Sequence, residues 1–159
     1  MSPAHHVAQV NVGRLLAPID HPATADFVTA LDPVNAAADN APGFVWRLQT
    51  EEGNATSIQA FPDPLVIVNL SVWESIEALE TFVYRDAGHL DVLRRRRSWF
   101  ERAAEAHTSL WWLPAGQLPT TDEAIERLGY LRRQGPTPRA FTFRERFPAP
   151  AVTGSLSAS

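Results

Sequence analysis

LVIVNLSVWESIEALETFVYRDAGHLDVLRRRRSWF, residues 65–100, reads as a buried strand, a short capped helix, a break that holds one histidine, and a second helix ending in an aromatic pair. Apolar residues run almost unbroken from Leu65 to Trp73, yet the strand period of two separates them. Val66, Val68, Leu70 and Val72 share one face, and Ile67, Asn69, Ser71 and Trp73 share the other. Such a strand fits a sheet packed by helices on its apolar side, with the opposite side lining an enclosed, partly polar space.

Working outward, Val7–Leu15 alternates in the same way and places Gln9, Asn11 and Gly13 on its polar face. Asp26–Asp39 has helical spacing, with Pro33 predicting a kink or two shorter pieces. Gly43–Thr50 reads as a second strand, with Val45, Arg47 and Gln49 opposite Phe44, Trp46 and Leu48. Ala55–Phe61 reads as an edge strand or irregular segment. Ser75–Tyr84 and His89–Ala106 are predicted helices, and Thr108–Leu113 a fourth strand. Thr120-Thr-Asp-Glu123 has capping-box spacing and opens a helix that Gly135-Pro136 stops. Arg139–Phe147 alternates as a last strand.

The order β-α-β-β-α-β, followed by an extra helix and strand, predicts an α+β, ferredoxin-like split βαβ fold with an antiparallel sheet. A single domain is expected over residues 7–147, with residues 1–6 and the Ala-, Ser- and Pro-rich tail 148–159 disordered. Helices on one side would leave the other sheet face bare, so two copies are expected to pair face to face as a homodimeric α/β barrel.

Composition narrows the chemistry. Cysteine and lysine are both absent, which removes thiolate ligands, cysteine nucleophiles and Schiff-base catalysis. A formal net charge of −4 argues against a nucleic-acid partner. No apolar run approaches the roughly 20 residues of a membrane helix and no secretory signal is seen, so a cytoplasmic protein with no membrane partner is expected. The motifs HxH, HExxH, GxGxxG, GxSxG and the P-loop are missing. His21, His89 and His107 are too scattered to predict a metal triad. Arg94–Arg97 spreads around a helix, as solvated arginines do, with one of them lying over apolar surface.

Several longer segments carry a family resemblance: Asn35-Ala with GFVWRLQ (43–49), NLSVWES (69–75), Phe82-Val-Tyr84 with His89, Ser98-Trp-Phe100, WWLPAG (111–116) and Ala140-Phe-Thr-Phe143. Over residues 7–147 the chain resembles the bacterial DUF3291 family, itself similar to the dimeric α/β-barrel superfamily. That superfamily includes cofactor-free antibiotic-biosynthesis monooxygenases, haem-binding and haem-degrading enzymes, and stress-response barrels. The resemblance implies a barrel pocket for a small, planar, hydrophobic substrate, aromatic or polyketide-like, oxidised or rearranged without an organic cofactor. It also implies two alternatives: a haem protein with His89 as axial ligand, and a non-catalytic stress-response or ligand-carrier barrel.

The strand faces nominate the pocket residues. Gln9, Asn11, Arg47, Gln49, Asn69, Ser71, Trp73 and Trp111 are expected to line it, because a small-molecule site is mostly apolar with a few placed polar groups. A polar network satisfied across a dimer interface is the plainer alternative. His89 is the candidate acid-base group, since imidazole titrates near neutral pH; helix capping, or a bond to Tyr84 or to a carboxylate, is its structural alternative. Trp73 shares its face with Asn69 and could stack on a planar substrate, and the two join His89 as the expected catalytic residues. Tyr84 and Trp99 join the ligand-binding candidates, although indoles and phenols are more often core.

Overall fold

A computed structural model of the protein describes residues 4–49, 63, 65–102 and 106–150. Strands β1 (His5–Arg14), β2 (Phe44–Arg47), β3 (Val66–Trp73) and β4 (Thr108–Pro114) form one antiparallel sheet in the order β2-β3-β1-β4. Helix α1 (Ala25–Asp39) joins β1 to β2. Between β3 and β4 come α2 (Ile76–Arg85), α3 (Ala87–Arg94) and α4 (Arg96–Trp99), and α5 (Thr121–Gln134) follows β4. This is the expected split βαβ, ferredoxin-like plan.

Local chemistry sets the helix starts. Ser75 Oγ accepts from Ala78 N at 3.0 Å, an Asp86 carboxylate oxygen from His89 N at 2.9 Å, and Thr120 Oγ1 from Glu123 N at 3.0 Å. Each satisfies a backbone donor that a helix leaves unpaired at its N-terminus. Gly135, at φ +75°, ends α5 where a side chain would be strained.

Several local expectations need correction. Of the two outcomes expected at Pro33, division into two pieces is excluded, because Pro33 lies inside one continuous 15-residue α1. The helix expected over 89–106 is instead α3 and α4 followed by extended Phe100, whose backbone bridges to Leu15. Leu16 N donates to Trp99 O and Glu101 N to Arg14 O, both at 2.8 Å, so pairing with β1 wins over helical continuation. The last strand reduces to isolated bridges, Leu110 with Phe141 and Thr137 with Ala140. Finally, β1 begins at His5, within the terminus expected to be disordered. The segment 55–61 and the tail beyond residue 150 lie outside the described residues.

The largest correction concerns the two faces of the sheet. Ala8, Val10, Val12, Val68, Leu70, Val72, Trp111 and Leu113 form the apolar face, and it is α5 that packs there through Ala124 and Leu128. Helices α1 and α2 cover the opposite face instead, meeting Val7, Trp73 and Leu110 through Ala38, Ile76, Leu79, Phe82 and Val83. Neither face is bare in a single chain. The face expected to be bare is thus covered by helices of the same chain.

Candidate functional site

Between the amide-bearing sheet face and α1, α2 and α3 lies a cavity of about 540 Å³. Cross-strand register decides which side chains enter it. Gln9 stands opposite Ser71, Asn11 opposite both Asn69 and Thr108, and Arg47 opposite Ser71, so all share one face. A register shift between Phe44 and Trp46 turns Phe44 to the same side, opposite Trp73.

The floor is a connected polar chain. Trp73 Nε1–H donates to Ser71 Oγ at 3.0 Å, and Ser71 Oγ–H donates to Gln9 Oε1 at 3.0 Å. Trp73 is 1% exposed, with Phe82 stacked on it at 5.3 Å and Phe44 edge-on at 5.4 Å. With aromatic neighbours already in place, Trp73 is a cavity wall and not the open stacking surface its strand position implied. Further along, Asn11 Nδ2 donates to Thr108 Oγ1 at 3.0 Å, while Asn69 is exposed and has no partner among the described residues. Arg47 reaches the cavity but pairs with Asp39 at 2.8 Å.

His89 sits in the first turn of α3, and its ring is fixed by two contacts. Nδ1 lies 2.9 Å from the Val83 carbonyl, and Phe82 packs at 5.1 Å. A carbonyl only accepts, so Nδ1 carries the proton and Nε2 keeps its lone pair. Burial lowers the imidazole pKa, against smaller opposing effects of the Val83 bond and the Asp86 charge. The result is a neutral imidazole on the cavity wall with a basic nitrogen available. Tyr84 stands at the same cavity, half-exposed, edge-on to Phe143 at 5.7 Å.

Three expected pocket residues lie elsewhere. Gln49 is exposed beyond the end of β2. Trp99 is buried in a separate cluster with Leu15, Phe27 and Phe100, because the chain leaves the helix immediately after it. Trp111 pairs with Ala8 and so points to the α5 face, where Arg127 lies 6.0 Å from its ring.

Several lining residues escaped sequence reasoning, Arg96 and His107 among them. Arg96, half-buried, places its guanidinium 4.8 Å from the Phe100 ring, and His107 precedes β4. The i,i+4 spacing of Arg96 and Phe100 was the available signal for the first. Burial, Arg96 and Arg132 together lower the His107 pKa. No group of three or more potential metal ligands is found among the described residues. Nor is any described helix long and apolar enough to cross a membrane.

Comparison with solved structures finds likenesses at low identity. SnoaB, a cofactor-independent oxygenase from Streptomyces nogalater, is 19% identical, with 72% of this chain and 96% of that chain covered at a TM-score of 0.44. PA3566 from Pseudomonas aeruginosa is 12% identical over 74% of this chain and 99% of that one, at 0.47. Rv0793 from Mycobacterium tuberculosis is 13% identical over 72% and 99%, at 0.45. No curated protein matches the sequence. The family described as a domain of unknown function, DUF3291, matches residues 6–156, and the chain belongs to that family.

Proposed function

We propose that the chain is a small-molecule enzyme that takes a planar, hydrophobic substrate into the cavity between sheet and helices and oxidises or rearranges it without an organic cofactor. The observation that carries this is His89, neutral, held through Nδ1 with Nε2 free, in a cavity whose walls are mostly aromatic and aliphatic. Such a base suits removal of a proton from an acidified C–H or phenolic O–H, and the apolar wall keeps water from competing. Asn69 and Asn11 offer amides to the oxygen on which charge then develops. For an oxidation by dioxygen, a CH2 group becomes a carbonyl, with one O2 consumed and one water released.

The same free Nε2 also suits an axial ligand of haem, since a ligating histidine usually donates its other nitrogen to a carbonyl. In that case haem would supply the redox chemistry and His89 would hold it. One comparison separates the two. His89→Gln should lower turnover of an enolisable aromatic substrate by about 10²-fold or more while leaving the fold intact by circular dichroism. A Soret shift on adding haemin to the wild type, lost in His89→Gln, would replace the cofactor-free reading with the haem one.

A further inference from the structure

The charges around the cavity are one-sided. Arg47, Arg96 and Arg144 line it together with His89 and His107, and no Asp or Glu does so among the described residues. Yet the chain carries 18 acidic residues against 14 basic ones. Arg47 is neutralised by Asp39, and Arg144 is exposed. Arg96 is half-buried like Arg47, but among the described residues it has no carboxylate and no hydrogen-bond acceptor, and its guanidinium lies over the Phe100 ring.

Its position is also prepared. Gly13, two residues along the cavity face from Asn11, leaves room above β1 for the Phe100 ring, which a Cβ would meet at 2.6 Å, and beside it for Arg96 Nη2 at 3.3 Å. His107 adjoins Thr108, whose hydroxyl is already held by Asn11. A half-buried guanidinium near a histidine, with no counter-charge among the described residues, leaves charge-assisted donors open to a ligand.

We propose that the ligand of this cavity is an anion, and that its carboxylate or comparably charged oxygen is held at the Arg96–His107 end, with the aromatic body lying toward Trp73 and Phe82. This rests on the cavity being a small-molecule site and adds the chemical class, a planar aromatic acid. Arg96 forms the ion pair, and His107 and Asn11 donate beside it.

Isothermal titration of the full chain with 2-naphthoate and with 2-naphthamide, matched in shape and differing in charge, tests the proposal. Wild type should bind the naphthoate about tenfold or more tightly than the amide, with added salt weakening only the naphthoate. Arg96→Gln should bind the amide as wild type does and lose the preference; Arg96→Lys should keep part of it. Equal affinity of wild type for the two probes, or a preference that survives in Arg96→Gln, overturns the anion assignment alone. Failure of wild type to bind either probe overturns the small-molecule reading and the assignment together.

Discussion

Burial holds both His89 and His107 below their ordinary pKa, whereas in the unfolded chain both return to about 6.5. The unfolded state therefore takes up protons first as the pH falls. Stability should decline as pH drops below about 6.5 and show no slope from these groups above about 7.5. The charged groups concerned are Asp86 for His89, and Arg96 and Arg132 for His107. Urea midpoints between pH 8 and 5 should show this decline, and His107→Gln should flatten it; identical slopes in the two proteins would refute the assignment. His89 was legible as a reactive candidate because it stands in a helix break. Its tautomer was not, since the deciding carbonyl belongs to Val83, six residues back and on a different helix.

The connection from α4 into Phe100 shows how one element disciplines another. Phe100 is extended, bridged to Leu15 and packed edge-on to Phe27 at 5.0 Å. A Cβ on Gly13 would meet its ring at 2.6 Å. Because the ring is held on two sides, Gly13→Ala should cost about 1–3 kcal/mol, read as a lower urea midpoint with an unchanged slope. The same close approach floors the Arg96 end of the cavity. Helix starts and the Gly135 stop were legible because capping is local chemistry, and the Thr120 box was readable directly. The break at Phe100 was not, because its cause is a strand some 85 residues earlier in the chain.

For the molecule as a whole, the sheet separates two differently built layers. Leu128 on α5 is 1% exposed against the valine and leucine face, on the far side of the sheet from the cavity. Leu128→Ala should therefore destabilise the fold by about 2–5 kcal/mol while the affinity for a cavity ligand stays unchanged below the unfolding transition. Differential denaturation and calorimetric titration of the same variant check both halves. A parallel loss of ligand affinity would show that the two layers are coupled through the sheet.

Period-two alternation is a property of neighbouring residues, so the sequence alone determined that Asn11, Asn69, Ser71 and Trp73 share a side of the sheet, and with the turn and cap signals it determined the strand and helix order. Which layer covers which face depends on how apolar helix stripes find partners across the chain. Ala124 and Leu128 of α5 complete the apolar face, whereas α1 and α2 close over the amide face and leave a gap. Tertiary structure decided that the polar face encloses a cavity within one chain, that Trp111 stays out of it, and that Arg96 comes in. The reason is that burial and charge pairing are settled by contacts between elements far apart in sequence, which local periodicity does not encode.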